Sequence, residues 1–324
     1  MKYSLGYNGI STKVLKLSIP YISSFLTCIC NRMTSGNFPM RLKFSEIKLK
    51  FKKGDKGNIS NYRPISKLTS FSKIFEKVIF SRSYHHNNIL VNEQFGFRKG
   101  LSTELVSYNL INNILSALNN ISLVGGVFCD LQKAFDCVNC NILLSKMEFY
   151  GISGKANTLI KSYLCDRFKR VLTDYDSRKY SSEQEPVTHG VLHGSILGTL
   201  FFLLYINDLP TIIPDISNPI LFAGDTSMII TNSGFHVFKK DIHSIIIQLN
   251  RWFKSHLLSL NLDKTHFLQF LTKNSHEIDL QISYENKQIS KIHYTKVLGL
   301  IIDIICHGVS ILMKQYVNST KHVM

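Results

Sequence analysis

Apolar side chains at Val14, Leu15, Leu17, Ile19, Ile22, Leu26 and Ile29 recur at steps of three and four, which predicts a helix within residues 10–37 that stops at the turn around Gly36. The basic stretch that follows, KLKFKKGDKGNISNYRPIS, gathers Lys48, Lys50, Lys52, Lys53, Lys56 and Arg63 around two glycines and reads as a loop. Helical spacing returns in LTSFSKIFEKVIFSRSYHHNN through Phe71, Ile74, Phe75, Val78 and Ile79. QFGFRKGLST reads as a second loop, and another helix is expected from about Glu104 to Leu118.

From Leu123 the period changes. LVGGVFCDL, rich in valine and phenylalanine, predicts a buried strand ending at Asp130. KAFDCVNCNILLSKMEFYG reads as a turn and a helix closed by Gly151, and GVLHGSILGTLFFLLYINDL as a loop and a buried helix. In NPILFAGDTSMIITN two apolar runs flank Gly224 and Asp225, which predicts a hairpin with that pair as its turn and Asp225 at its tip. An amphipathic helix from about Phe238 to Leu258 and the strand-like HFLQFL and KVLGLIID complete an α/β or α+β pattern with a mixed or antiparallel sheet.

Composition narrows the class. The 324 residues are 44% hydrophobic, with Phe 21 and Tyr 14, which excludes a mainly disordered chain and suggests about two domains. Lys plus Arg outnumber Asp plus Glu 38 to 22, a net charge of +16. Self-repulsion of that size favours a polyanionic partner, nucleic acid first and an acidic membrane surface second. The longest apolar run, Ile196 to Ile206, is too short to cross a bilayer. The N-terminal apolar stretch is interrupted by Lys16, Pro20 and serines and has no signal-cleavage pattern, so no membrane span or secretion signal is expected. Seven cysteines, an odd number, with the lone pair Cys137 and Cys140, argue against a zinc site and for a reducing intracellular compartment, nuclear or cytoplasmic.

Asp130 and Asp225 both stand among apolar neighbours, where a carboxylate is costly unless hydrogen bonds or a divalent cation compensate it. For Asp225 an ordinary turn aspartate is the competing explanation. The two carboxylates can meet only if the strand ending at Asp130 lies beside the hairpin carrying Asp225.

FKKGDKGNISNYRPIS, QFGFRKGLST, VFCDLQKAFDCV, GVLHGSILGTLFFLLYINDLP, LFAGDTS, LNRWFKSHLLSLNLDKTHF and KVLGLIID occur in the order of the reverse transcriptase motifs. From about residue 10 to 303 the chain resembles the reverse transcriptase region of a non-LTR, LINE-like (jockey-type) retrotransposon. The resemblance implies an α+β right-hand polymerase, with an N-terminal helix and fingers in 1–122, an antiparallel palm sheet with packed helices in 123–303, and a divergent tail, 304–324, where a thumb would begin. It implies an RNA template, a DNA primer, deoxynucleoside triphosphates, and Mg²⁺, with Mn²⁺ as a substitute, in two-metal phosphoryl transfer. By the same resemblance Asp130, Asp225 and the Leu131 carbonyl hold metal, and Lys264 protonates the leaving pyrophosphate. Phe135 excludes a ribose 2′-hydroxyl, while Arg63 and Arg98, with Lys52 and Lys53 as weaker candidates, meet phosphates. His193, Gly194 and Ser195 belong to the loop beneath the incoming base pair.

Departures from that pattern are specific. The family hairpin reads FADD, whereas this chain has Phe222, Ala223, Gly224 and Asp225, so Gly224 replaces a metal-binding aspartate. The family loop reads GVPQGS…GP, where this chain has Leu192, His193 and Thr199. Only 21 residues, IICHGVSILMKQYVNSTKHVM, follow Asp303, too few for a helical thumb. The expectation is an impaired reverse transcriptase. The alternatives are an active polymerase in which Asp225 serves both metals, and a non-catalytic basic RNA-binding remnant.

Overall fold

Ser11 starts the first helix by accepting the Val14 N–H on its hydroxyl, 3.2 Å away, so one of the orphan donors of the first turn is satisfied. Helix α1 (Thr12–Met33) then runs through Pro20 without a break. This is from a computed structural model that describes residues 6–84, 89–175, 178–213, 217–272, 275, 277–278, 280–285 and 287–305. Of α1 only Leu15 and Met33 are buried, and by length and composition it is the one helix among the described residues that could cross a membrane. A single such helix near the N-terminus is weak evidence for a span, and Lys16 and Pro20 leave its 22 residues unbroken.

The basic stretch is not a loop. Strands β1 (Phe44–Phe51) and β2 (Tyr62–Lys67) form an antiparallel pair in register Lys48 with Ile65 and Lys50 with Arg63. The signal was the strict alternation of Ile47, Leu49 and Phe51 with Lys48 and Lys50, the period of a strand, hidden under the charge count. Helix α2 (Ser70–Tyr84) follows, with 85–88 of the expected helix outside the described residues. Helix α3 (Thr103–Asn119), capped by Ser102, leads into β3 (Leu123–Cys129), whose end falls just before Asp130 as expected.

Next come α4 (Cys140–Phe149), capped by the Asn139 side chain, and α5 (Gly154–Leu164), which was not expected. Strands β4 (Phe168–Tyr175), β5 (Arg178–Ser181) and β6 (Glu185–Pro186) precede helix α6 (Ile196–Tyr205). Then follow β7 (Ser217–Phe222), β8 (Asp225–Asn232), α7 (Phe235–Ser255) and β9 (His266–Phe270). The chain closes with five short strands: β10 (Ser283–Tyr284), β11 (Lys287–Gln288), β12 (Ser290–Lys291), β13 (Tyr294–Val297) and β14 (Leu300–Asp303). Residues 306–324 of the expected divergent tail lie outside the described residues.

The chain forms two compact units that interleave in sequence: residues 1–90 with 135–206, and 91–134 with 207–324. The first holds the sheet β2-β1-β4-β5, with β6 on β4; β1 and β4 run parallel and the other pairs antiparallel. In it α6, buried from Leu197 to Tyr205 apart from half-buried Thr199, packs against α2 and α4. The second unit holds the sheet β12-β9-β3-β8-β7, antiparallel except between β12 and β9. Val106, Leu110 and Ile114 of α3 form a core with Val124, Ile229 and Leu268. Helix α7 packs on β8 and buries Phe238, Ile242, Ile245 and Leu249 at helical spacing. Central strand β3 needs glycine where aromatic rings cross it: a Cβ at Gly125 would lie 2.8 Å from the Phe267 ring.

Candidate active site

Strands β3 and β8 pair antiparallel down to Cys129 opposite Thr226, so the next residues along the two strands are Asp130 and Asp225. The expectation that the strand ending at Asp130 lies beside the hairpin is met. One detail is corrected. Phe222 pairs with Asp225, which makes Ala223 and Gly224 the two-residue turn and Asp225 the first residue of β8, not the tip. Strand β8 begins one residue earlier than the Gly-Asp signal suggested, because pairing of the apolar runs of β7 and β8 outweighs local turn preference. Ala223 carries the left-handed backbone of the turn (φ 55°), whereas Gly224 is not among the residues with positive φ. A positive first position and a negative second is the hairpin geometry that normally puts glycine first. The glycine here sits at the position that does not need it.

A second segment is laid along Asp130. After α7, Leu260 bridges Leu131: the Asn261 N–H donates to the Asp130 carbonyl at 2.8 Å and the Gln132 N–H to the Ser259 carbonyl at 2.9 Å. This pair of bonds leaves the Leu131 carbonyl outside it. The short turn Leu262–Lys264 then brings the Lys264 ammonium 2.8 Å from Asp130 Oδ2, and Asn261 Nδ2 donates to the same oxygen at 3.2 Å. Asp130, Leu131, Asp225 and Lys264 therefore lie at one end of one sheet, beyond the last β3–β8 pair. Among the described residues no group of three or more His, Cys, Asp or Glu is placed to hold a metal ion.

Sequence reasoning missed Gln94. It is fully buried, and its Oε1 accepts the N–H of Gly96 at 2.8 Å and of Ala223 at 3.0 Å. The flanking backbone runs beside β7: the Phe95 N–H donates to Leu221 and the Leu221 N–H to Glu93, both at 2.8 Å. Arg98, expected to meet phosphate, donates from Nη1 to the carbonyls of Val91 and Gln94 at 2.9 and 3.0 Å and so clasps its own loop.

In the first unit, the loop before α6 gathers the other expected residues. Gly194 has φ 101°, and a Cβ there would stand 3.2 Å from Ile65 Cγ2. The Ser66 N–H of β2 donates to the His193 carbonyl at 2.8 Å. Ser195 caps α6, accepting the Gly198 N–H at 2.7 Å. Glu76, fully buried on α2 and also missed, accepts the Ile196 N–H at 3.0 Å and the Tyr163 hydroxyl at 2.5 Å. Burial pushes the Glu76 carboxyl above its ordinary range, against the pull of the Tyr163 hydrogen bond. The His193 ring stacks on Phe135 (4.8 Å, 8°), and Phe135 on Phe202 (4.8 Å, 23°). Burial first, and the Arg63 guanidinium second, depress the His193 imidazole below its ordinary value. Arg63 itself is exposed on β2, opposite Lys50.

The chain is 29% identical over 322 residues to the probable RNA-directed DNA polymerase from transposon BS of Drosophila melanogaster, covering 94% of this chain and 34% of that protein. It is 26% identical to the RNA-directed DNA polymerase from mobile element jockey and 28% to that of transposon X-element, both of the same species, over 84% and 92% of this chain. It spans about a third of the length of these relatives (30% and 33% for the last two). Among solved structures, apo telomerase from Candida tropicalis, truncated from its C-terminal domain, superposes with a TM-score of 0.54 at 13% identity, over 90% of this chain and 58% of that one. The two share a fold. Residues 51–302 match the family described as reverse transcriptase (RNA-dependent DNA polymerase), and the chain belongs to that family as a LINE-like, non-LTR retrotransposon reverse transcriptase domain.

Proposed function

We propose that this domain extends a DNA primer on an RNA template with deoxynucleoside triphosphates, using the end of the sheet that carries Asp130 and Asp225, and that Gly224 limits its rate. The observation that carries the reading is the β3–β8 register, which sets the two aspartates side by side with Lys264 on Asp130. In this reading the N-terminal helix and fingers lie within 1–122 and the palm within 123–303, in an intracellular setting.

The donor set is of the hard-oxygen type that Mg²⁺ or Mn²⁺ prefers: Asp130, Asp225 and the Leu131 carbonyl. It is one carboxylate short of what a pair of ions needs, because Gly224 has no side chain. When bound, a divalent cation polarises phosphoryl oxygens and neutralises developing charge. The chain's own groups do the rest. Lys264 gives a proton to the departing pyrophosphate, and Phe135 closes the space a 2′-hydroxyl would take. Arg63 holds phosphate, and the Gly194–Ser195 loop supports the base pair.

Primer extension with Mg²⁺ and with Mn²⁺ tests this directly. Gly224→Asp should raise the rate roughly a hundredfold, the scale of one preorganised group, and Asp130→Asn should abolish it. RNA binding should weaken with salt at a log–log slope of about −0.7 per neutralised phosphate. Salt-sensitive binding with no extension from the Gly224→Asp chain would leave only the RNA-binding remnant.

A further inference from the structure

We infer that Gln94 is a positioning residue for the Ala223–Gly224 turn, and through it for Asp225. The inference rests on the polymerase reading for its purpose, though not for its geometry. Ala223 holds φ 55°, a conformation that disfavours a residue with a Cβ by about tenfold or more in population. Such a backbone persists only where the surroundings over-determine it. The β7–β8 ladder ends at the Phe222–Asp225 pair and leaves the turn itself outside. What reaches the turn from outside is the Gln94 amide oxygen, which accepts the Ala223 N–H.

The amide has little freedom to do otherwise. Both groups it faces, the N–H of Gly96 and of Ala223, are donors, so the oxygen must point to them; Nε2 is buried with no hydrogen-bond partner among the described residues. Gly96 is part of the same device. A Cβ there would lie 2.3 Å from the Ala223 nitrogen, so only glycine lets the Gln94 segment approach this closely. The segment is tied in turn to β7 by the paired bonds of Phe95 and Glu93 with Leu221. Gln94 thus fixes the turn at Ala223, two residues before Asp225 at the start of β8, next to the Cys129–Thr226 pair that ends the β3–β8 ladder. The Ala223 strain and the buried amide explain each other.

Hydrogen exchange on the full chain separates this from a general packing role. Gln94→Met keeps the volume and removes the acceptor. Amides of the 222–225 turn should then exchange about ten- to a hundredfold faster, while those of β3 and β9 in the same sheet keep their protection. Adding Ala223→Gly, which makes the left-handed backbone cheap, should return turn exchange to within about threefold of the parent. In the Gly224→Asp background, Gln94→Met should lower kcat with primer and nucleotide KM unchanged, and Ala223→Gly should restore it. Uniformly faster exchange across the sheet, unchanged turn exchange, or no rescue by glycine would overturn the inference. Should Gln94→Met alone not fold, Ala223→Gly is compared with and without it: equal turn exchange supports the clamp, and a tenfold gap overturns it. The exchange result stands whether or not the chain polymerises, so its failure and that of the polymerase reading are distinguishable.

Discussion

The Leu192–Ser195 loop of one unit and the Ala223–Gly224 turn of the other both depart from the family pattern, and they have kept different things. Each is held by a buried side chain remote in sequence: Glu76 takes the Ile196 N–H beside the loop, and Gln94 takes the Ala223 N–H in the turn. In the loop the replaced side chains have found new partners, since Leu192 is buried and His193 stacks on Phe135. In the turn a carboxylate has been replaced by nothing. Removing it costs the fold little, because a third negative charge beside Asp130 and Asp225 would repel both. On the proposed reading, shape is maintained here separately from chemistry, by Glu76 and Gln94, which hold backbone and stand outside the proposed ligand set.

The sharpest way to break this comparison is to remove a holder. Glu76→Ala would leave the Tyr163 hydroxyl and the Ile196 N–H buried without an acceptor, and urea unfolding should show a loss of about 3 kcal/mol or more. Glu76→Gln keeps an acceptor oxygen and should cost about 1 kcal/mol. The sign of its pH dependence follows from burial. The folded state raises the Glu76 pKa above 4.5, so it holds that proton more tightly than the unfolded chain does. Stability contributed by Glu76 is then full below 4.5 and falls as pH rises through the folded value. The penalty of Glu76→Gln should accordingly shrink from acid to neutral pH. A penalty that grows with pH would mean that the carboxylate, not the acid, is the form the fold prefers.

These two holders mark the limit of what the residues alone could reveal. Asp130 and Asp225 were legible because each ends or begins an apolar run, whereas the pairing of their strands was not fixed by the residues. Helices α1, α2 and α7 were legible from helical spacing, and α6 as an unbroken apolar run. Glu76 and Gln94 were not, since their partners lie 120 and 129 residues away and nothing local distinguishes a buried Glu or Gln from a solvated one. Strands β1 and β2 were missed because five lysines over Lys48–Lys56 overshadowed the alternation beneath them. The turn was misplaced by one residue because the ladder, a long-range term, overruled the Gly-Asp signal.

A smaller effect probes the loop's new partners. His193→Ala removes one face of the stack on Phe135 and leaves the Phe202 face in place. An aromatic pair is worth about 0.5–1.5 kcal/mol, so Phe135 should become mobile enough to relax sugar selection up to about tenfold. The measurement is the ratio of kcat/KM for a deoxy- and a ribonucleotide in the Gly224→Asp chain. His193→Phe should preserve the ratio, because it keeps a ring on Phe135. If both variants leave the ratio unchanged, the stack is packing without consequence for selection.

The smallest effect concerns Lys264 and its contact with Asp130, both in the second unit. Its ammonium lies 2.8 Å from Asp130 Oδ2, with the lysine 45% and the aspartate 30% exposed, so the pair is well solvated. Exposed pairs of this kind contribute about 0.2–1 kcal/mol, and Lys264→Gln should lower stability by no more than that. The same substitution takes a competing positive charge off Asp130 Oδ2, which keeps its hydrogen bond from Asn261 and becomes easier for a divalent cation to approach. Mn²⁺ affinity, read by titration calorimetry on the chain without nucleotide, should therefore rise about threefold, the equivalent of a solvated ion pair. Gly224→Asp should raise it further and independently, because it adds a ligand where Lys264→Gln removes a competitor, so the two gains should multiply. Weaker Mn²⁺ binding in Lys264→Gln would show that the lysine orients Asp130 for the cation instead of competing with it. The lysine would then belong with Glu76 and Gln94 among the residues that keep the outline of the site.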